Sequence, residues 1–366
     1  MRRIFVIGLL VGSCTALAAA DDYATVGNIP FPQLNTGGAN TAITFVQGQV
    51  AFLTQQAGYE DIYFLDPIRG VVLTHWTAPS PFAVISGLGD DGTLLYAVSS
   101  TTNSDKIAVI DLKGTVVTIF PTIHRTAAHY GSATDNTDLF VSAAGRLIYR
   151  MNRQTGALVQ SFSVPTAPNT LFGLAHDTTK LLGVAPSTTG PATILGIDGT
   201  TGAELFNFTG PGVSGNSRGL GYGDDGNLYV GNQGDNQIYV MAPVPTPAGP
   251  IAVGQSTKIR IAAPIARLSR YVLAAAGSNI FGIRLPDGRR IPLDVDNLLL
   301  LSLNVPSLFQ DFQGRLNASG VAEATLHVPA VPALRGLKFR LAFVTLDSLV
   351  LTGIRVISAA RDVQID

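Results

Sequence analysis

Short apolar segments alternate with polar, glycine-containing turns through the first two thirds of the chain, and this pattern recurs about every 44 residues. Each turn unit starts with a glycine, ends four residues later in an aspartate, and is followed by a β-favouring apolar run. The aspartates are spaced by 44, 42 and 48 residues, and they are Asp91, Asp135, Asp177 and Asp225. The runs after them span 94–98, 139–141, 181–184 and 228–230. The spacing predicts one supersecondary unit per period.

A second turn lies half a period from the first. There an apolar run ends in Asp or Asn, and a glycine follows within four residues. These pairs are Asp66 and Gly70, Asp111 and Gly114, Asn152 and Gly156, and Asp198 and Gly202. Tight β-hairpins favour such residues because their turns contain positive φ angles. Two hairpins per period give four strands per period, which is the size of a propeller blade.

The repeats predict an all-β fold that begins with a five-bladed β-propeller of four-stranded blades over residues 21–242. The blades are expected to start near Ile43, Phe82, His129, Leu171 and Arg218. The fifth blade lacks a following strand of its own, because prolines cannot donate ladder hydrogen bonds and four of them come next, at positions 243, 245, 247 and 250. A strand around 23–26 is free to complete that blade and close the ring.

The repeat ends at a proline-rich linker, residues 243–250, and residues 251–366 alternate between apolar and polar positions instead. Ala324 and Leu326, for example, share one face of their run, while Glu323 and Thr325 share the other. Strands are predicted at 258–262, 271–275, 298–303, 312–316, 321–328, 339–343 and 354–357. Short strands in this number predict a β-sandwich domain.

The first residues have the organisation of a secretory signal peptide. Arg2 and Arg3 precede an apolar run over 4–11, and small residues follow up to Ala20. We therefore expect residues 1–20 to be removed and the protein to be exported. Residues 11–14, Val-Gly-Ser-Cys, resemble a bacterial lipobox, so a lipid anchor on Cys14 is the alternative to a soluble form. No later run reaches about 18 apolar residues, and no transmembrane helix is predicted.

Composition limits the cellular compartments and the binding partners that are expected for this protein. Cys14 is the only cysteine, so disulfides and thiol catalysis are not expected in the exported protein, and secretion or a place in the bacterial periplasm or cell envelope is favoured. The net charge of −1 becomes −3 without Arg2 and Arg3, and no basic run follows them. Nucleic acid is therefore not an expected partner. Charged residues make up only 13% of the chain and 39 residues are glycine, as in exported all-β proteins.

The repeats resemble the broad NHL, YVTN and quinoprotein-like group of bacterial propellers over residues 40–242. Residues 152–156 and 198–202 match the D-x-x-T-G part of the quinoprotein repeat, with asparagine first in the earlier one. Gln160 and Phe206 stand where that family has tryptophan, so the resemblance implies blade construction and no cofactor is expected. Segments 291–294 and 341–347 resemble C-terminal modules of exported planctomycete-type proteins, which implies a role in anchoring, sorting or adhesion.

The turn aspartates are interpreted as Asx-turn residues, with calcium binding as the alternative. A ligand site is predicted at the opposite mouth of the propeller channel, on loops that enter each first strand and loops that join the second and third strands. The candidates there are Asp105, His124, Arg125, His129, Asn169, Asn216, Arg218, Asn232 and Asp235. His124 and His129 are five residues apart, which fits neither a strand nor a helical metal pair. No metal site is assigned, although a divalent metal at this mouth stays an alternative.

These features favour an exported, non-catalytic binding or interaction protein whose partner is a protein or a glycan at the cell surface. One alternative is a propeller hydrolase, lyase or lactonase that uses His124, His129, Arg218 and nearby acidic residues. Another is a structural component of the cell envelope. Geometry separates the first two, because an enzyme would gather at least three of those side chains in a closed pocket. A binding module would leave them around an open rim.

Overall fold

The chain folds into β-strands and one α-helix in the residues that the computed structural model describes. These are residues 23–30, 40–56, 59–78, 85–99, 106–121, 128–187, 190–211 and 217–366. The predicted signal peptide and lipobox at residues 1–20 lie outside them. Within them, no helix is long and apolar enough to cross a bilayer.

The described residues between 23 and 243 contain twenty strands. They are β1 (Tyr23–Pro30), β2 (Asn40–Val46), β3 (Gln49–Gln56), β4 (Tyr59–Leu65), β5 (Val72–Thr77), β6 (Ile85–Asp90), β7 (Leu94–Ser99), β8 (Lys106–Asp111), β9 (Val116–Pro121), β10 (His129–Thr134), β11 (Asp138–Ala143), β12 (Leu147–Asn152), β13 (Leu158–Ser163), β14 (Gly173–His176), β15 (Leu181–Ala185), β16 (Thr193–Ile197), β17 (Glu204–Thr209), β18 (Ser217–Tyr222), β19 (Leu228–Asn232) and β20 (Gln237–Pro243).

These strands form five antiparallel sheets of four strands. Four sheets follow the chain order: β2 to β5, β6 to β9, β10 to β13 and β14 to β17. In the fifth sheet, the order is β18, β19, β20 and then β1. The N-terminal strand predicted around 23–26 is therefore present and pairs antiparallel with β20, from Tyr23 opposite Pro243 to Pro30 opposite Gln237.

The first strands of the five sheets contact one another in a cycle: β2, β6, β10, β14, β18 and β2 again. Neighbouring sheets share buried side chains, as in the cluster that contains Phe64 of β4 together with Leu95 of β7 and Ile110 of β8. A four-stranded sheet cannot bury both of its faces alone, so each sheet depends on its neighbours. The architecture is propeller-like.

The glycines that begin the predicted turn units lie in the first strands and not in the turns. A Cβ atom on Gly131 would lie 2.7 Å from the backbone nitrogen of Leu174, and one on Gly173 would lie 2.7 Å from the carbonyl oxygen of Arg218. The first strands approach so closely around the ring axis that side chains do not fit between their backbones. These glycines therefore set the tightness of the ring.

Residues from 246 onward form eleven further strands. They are β21 (Thr246–Pro247), β22 (Ser256–Ala262), β23 (Arg270–Ala276), β24 (Ile283–Arg284), β25 (Arg290–Ile291), β26 (Phe309–Gln310), β27 (Gln313–Arg315), β28 (Val321–His327), β29 (Lys338–Leu346), β30 (Ile354–Ile357) and β31 (Arg361–Gln364). The helix α1 (Asn297–Asn304) and two short 3-10 helices, Pro264–Ala266 and Pro332–Leu334, complete the segment.

Two sheets of this segment share one hydrophobic core. The first has the order β21, β22, β28, β26, and the second has the order β27, β23, β29, β30, with β31 also paired to β29. Ile259 and Leu326 of the first sheet belong to the same buried cluster as Leu273, Leu341 and Phe343 of the second. β21 lies inside the predicted proline-rich linker and pairs with β22.

The predicted strand at 298–303 is wrong, because these residues form the helix α1. Asp296 caps this helix: its side chain accepts a hydrogen bond of 2.8 Å from the backbone N–H of Leu299. Leucine carries no branch at Cβ and has high helix propensity, so a capped run of leucines forms a helix readily. The apolar run alone did not distinguish the two structures.

Candidate functional site

A cavity of about 760 Å³ opens at one end of the ring, where a hairpin joins the first and second strands of each sheet. We call this end the hairpin end. All five sheets contribute to the wall, and Ile265 and Arg267 of the C-terminal segment complete it. The ionisable side chains in the wall are Asp90, Asp91, Asp135, Arg153, His176, Tyr222, Asp224 and Arg267.

The turn aspartates hold the hairpins that frame this cavity. The Asp91 carboxylate accepts hydrogen bonds from the backbone N–H groups of Thr93 and Leu94 at 2.9 and 2.8 Å. Asp135, Asp177 and Asp225 accept the same type of bond from residues two positions later. The Asx-turn interpretation is therefore confirmed. Among the described residues, no group of three or more His, Cys, Asp or Glu side chains is arranged to hold a metal ion.

The residue before each turn aspartate lines the cavity. These residues are Asp90, Thr134, His176 and Asp224. Asp90 accepts hydrogen bonds from Oγ1 of Thr44 at 2.5 Å and from the backbone N–H of Gly92 at 2.9 Å. Burial raises the pKa of Asp90 to about 6, and the nearby Asp91 and Asp224 charges act in the same direction. Asp90 therefore changes charge near neutral pH.

Asp224 in the cavity wall is close to two arginines of the C-terminal segment. Burial raises the pKa of Asp224, and the charge of Asp225 adds to the effect, while Arg355 and Arg289 oppose it. The hydroxyl of Tyr229 donates a hydrogen bond of 2.8 Å to Asp225. Two arginines of the C-terminal segment thus act electrostatically on an acidic pair of the fifth sheet.

Three further polar residues of the wall, Arg153, His176 and Thr178, are held in place by neighbours. Arg153 forms an ion pair of 3.4 Å with Asp91. Burial lowers the pKa of His176, which favours the neutral imidazole, and its Nδ1 accepts a hydrogen bond of 3.2 Å from the backbone N–H of Thr178. Thr178 has a φ of 76°, which is rare for a β-branched residue, and its hydroxyl donates to the carbonyl of Pro264.

The five described residues of the predicted site lie away from this cavity. His129 begins β10, Arg218 is the second residue of β18, and Asn232 ends β19, and each of these strand ends is opposite the hairpin end. Asn169 and Asp235 lie in loops that follow β13 and β19. The other four candidates, Asp105, His124, Arg125 and Asn216, fall outside the described residues.

Three of the predicted site residues, Asn169, Arg218 and Asp235, each contact a separate set of neighbours. The Arg218 guanidinium lies 5.0 Å from the centre of the Phe172 ring, which itself contacts Tyr130 with ring centres 4.4 Å apart. Asn169 donates to the carbonyl of Pro186, and Asp235 accepts from the hydroxyl of Tyr239. Within the described part of the chain, Asn169, Arg218 and Asp235 are not joined by hydrogen bonds or ion pairs.

His129 and Asn232 are both buried. The His129 ring lies 5.9 Å from that of Tyr149, and the Asn232 side chain accepts a hydrogen bond from the backbone N–H of Gly234. Both side chains therefore take part in packing or turn structure at the end opposite the cavity.

Reasoning from the sequence assigned Asp91 and Asp135 to turns and missed the other residues of the cavity wall. A signal for two of them was present, because Asp90 and Asp224 are each the first of two consecutive aspartates whose second member is fixed in the turn. His176 and Thr134 occupy the equivalent position without a carboxylate. Arg267 carried no such signal, because it comes from the C-terminal segment and reaches the cavity only through the tertiary fold.

A scan against protein-family models finds no match for the chain, and a search of curated proteins finds none either. Among solved structures, the chain is similar to glutaminyl cyclase of Myxococcus xanthus, with 13% identity and a TM-score of 0.49 over 60% of this chain and 95% of that one. It is also similar to the WD40 beta propeller domain of Doa1, with 13% identity and a TM-score of 0.36 over 55% and 62%. At these values neither likeness bears on activity.

Proposed function

We propose that this protein is a non-catalytic binding protein that holds a small cationic ligand, such as an organic amine, in the cavity at the hairpin end. The observation that carries the proposal is the cavity itself, with a volume of about 760 Å³ and a wall drawn from all five sheets. Small-molecule sites are typically concave and within ~300–1,000 Å³. Burial of Asp90 and the closeness of Asp91 and Asp224 favour a positive group inside it.

The balance of charge in the wall supports a cation over an anion. Four carboxylates line the cavity. The described part of the wall contains two guanidinium groups, those of Arg153 and Arg267. Arg153 is already paired with Asp91, and the pKa of His176 is lowered by burial. The excess of carboxylates attracts a positively charged group and repels anions.

The fixed hydrogen bonds of the wall favour binding without chemistry. The Asp91 carboxylate is occupied by turn N–H groups, and the His176 Nδ1 by the Thr178 backbone N–H. A second candidate is a hydrolase, lyase or lactonase at this same cavity. It is favoured by Asp90, because a carboxyl with a pKa of about 6 suits a general acid.

The surrounding architecture is part of the proposal. We propose that residues 21–242 form a five-bladed β-propeller, that 243–250 connect it to the rest, and that 251–366 form a β-sandwich. The cyclic contacts of the first strands and the shared core of the two later sheets support this division. We further propose export through the signal peptide at 1–20 to the medium, periplasm or envelope, with a lipid anchor on Cys14 and a glycan or protein partner as alternatives to test.

Calorimetric titration of the purified protein with putrescine, spermidine and choline at neutral pH tests the ligand class. We expect binding of at least one amine, no binding of the dianion succinate, and roughly tenfold weaker binding after Asp224→Asn. Asp198→Asn is the matched control, because Asp198 holds an exposed turn at the outer hairpin of its sheet. Affinity should fall between pH 7 and pH 5, since protonation of Asp90 removes a negative charge.

Failure of all amines to bind, or equal binding by Asp224→Asn and the native protein, would contradict the proposal. Turnover of an ester or lactone that is lost in Asp90→Asn would favour the enzyme alternative. Dialysis against a chelator should leave the melting temperature unchanged, and a lowered melting temperature would point to a bound metal instead.

A further inference from the structure

The loop between β23 and β24 holds large apolar side chains in solvent. Ile280 and Phe281 are 72% and 77% exposed, and Val295 is 71% exposed. Ile280 and Phe281 are consecutive in the loop and form one exposed surface, while Val295 follows Asp294, whose carboxylate accepts hydrogen bonds from the backbone of both residues. We call this surface the apolar tip. Large apolar side chains that are exposed next to one another are typical of interaction surfaces.

The backbone under the apolar tip is tightly bonded. The Asp294 carboxylate accepts hydrogen bonds of 2.9, 2.9 and 2.6 Å from the N–H groups of Ile280, Phe281 and Gly282, and another from the Ser278 hydroxyl. These bonds lower the pKa of Asp294 to about 2, and the bond from Ser278 has the largest effect. The carboxylate therefore stays charged and holds the loop at any physiological pH. The apolar side chains are presented by an ordered loop.

Basic side chains flank the apolar tip. Arg284 and Arg290 are exposed on the two strands of the adjoining hairpin, and Arg290 donates a hydrogen bond of 2.9 Å to the carbonyl of Asn279 in the loop itself. Residues 251–366 contain 13 lysines and arginines against eight aspartates and glutamates, while residues 21–250 contain nine against 17. The tip thus lies on the positive part of a chain whose larger part is negative.

We propose that the apolar tip docks this protein onto an anionic lipid surface. Ile280 and Phe281 enter the interface between headgroups and acyl chains, and Arg284 and Arg290 contact lipid phosphates. A lipid surface fits better than a shaped protein partner, because the tip is a loop with exposed apolar side chains and cations beside them, and a fluid surface needs no complementary groove. This docking is independent of ligand binding in the cavity.

Cosedimentation of the full protein with vesicles tests the proposal. We expect binding to vesicles of phosphatidylcholine mixed with phosphatidylglycerol, weak binding to phosphatidylcholine alone, and loss of binding at high salt. Ile280→Ser with Phe281→Ser should weaken binding by roughly tenfold or more, because two large apolar groups no longer leave water. Both residues are exposed, so the melting temperature should stay that of the native protein.

The matched control is Val117→Ser with Val159→Ser, two exposed apolar residues on outer strands of the ring, 58% and 55% exposed. This variant should bind vesicles as the native protein does. The emission of Phe281→Trp, after subtraction of the Trp76 signal, should shift to the blue on anionic vesicles. Native-like vesicle binding by the Ile280→Ser, Phe281→Ser variant overturns the proposal. So does a vesicle-independent dimer that this variant abolishes, since the tip would then bind a second copy of the chain.

Discussion

Asp90 is a side chain whose ionisation the fold shifts well away from that of an ordinary aspartate. Burial raises its pKa from 3.8 to about 6, although Thr44 and Gly92 donate hydrogen bonds that act in the opposite direction. The fold therefore favours the protonated carboxyl relative to the unfolded chain. The stabilising effect of this preference is complete below the unfolded pKa and is lost as the pH rises through the folded pKa.

We expect Asp90→Asn to remove this pH dependence. The free energy of unfolding of the native protein should fall relative to that of the variant between pH 4 and pH 7, by on the order of 2 kcal/mol. Urea unfolding at pH 4, 5, 6 and 7 measures the difference. Asp198→Asn is the control. Because turn N–H groups lower the pKa of Asp198, the native protein should gain stability relative to this variant as the pH rises. A constant difference between native and Asp90→Asn across the series would show that Asp90 is not buried as described.

Residue roles followed from the sequence where they depend on local geometry. The turn aspartates were predicted because an Asx turn involves only the next two or three residues, as at Asp177 with Thr179 and Lys180. The cavity was not predicted, because it depends on which ends of five separate hairpins converge and on Ile265 and Arg267 of the C-terminal segment, which complete the wall. Thr178 and Pro264, joined by a hydrogen bond across 86 positions, belong to that non-local part.

The first strand of each sheet is the element that determines how closely the ring packs. The glycines of these strands replace side chains at the points where neighbouring backbones meet, and Gly131 lies against both Gly173 and Leu174. Any side chain there must push two strands apart. Because the contacts run in a closed cycle, a displacement at one of them must be absorbed by the others.

Gly131→Ala should therefore destabilise the protein by ~2 kcal/mol or more, since its Cβ would lie 2.7 Å from the Leu174 nitrogen. Gly27→Ala is the matched control in a strand, because nothing lies within 4 Å of its added Cβ, and its effect should stay within about 0.5 kcal/mol. Chemical denaturation of both variants gives the comparison. Equal stability of the two variants would mean that the first strands can accommodate a Cβ atom at residue 131.

Elements with a strong period were predicted well, and one without a period was not. Hairpin signals located β7, β11, β15 and β19 within a few residues, because Asp and Gly fix the turns that precede or follow them. The run 297–304 contains five leucines and no alternation, so only its cap, Asp296, distinguished a helix from a strand. Asp296, as a favoured N-cap residue directly before this run, is the sequence feature that indicates the helix α1.

At the scale of the whole molecule, the ring and the C-terminal segment are in direct contact. Gly226 of the fifth sheet has a φ of 81°, and a Cβ on it would lie 2.8 Å from Cγ2 of Val356. The backbone N–H of Ala359 donates to the carbonyl of Pro243 near the end of β20. The wall residues Ile265 and Arg267 depend on such contacts to reach the cavity.

Gly226→Ala should loosen this contact as well as strain its own turn. Gly48→Ala is the matched control, because Gly48 has a φ of 76° in the hairpin that joins β2 to β3 and nothing within 4 Å of an added Cβ. Both variants should lose about 1 kcal/mol from the left-handed backbone. Only Gly226→Ala should speed proteolysis between the ring and the later sheets and weaken amine binding. Identical digestion patterns for the two variants would contradict the contact.

The pairing of β1 with β20 also sets the order of events when the chain folds. Tyr23 lies opposite Pro243, so the fifth sheet must wait until residues separated by 220 positions are both available. Until then the faces of β2 and β18 that meet in the finished cycle are uncovered, and the early sheets have no lasting partner on one side. Long-range closure of this kind slows folding. A nascent polypeptide with so late a final step therefore stays incompletely folded until the residues of β20 have left the ribosome.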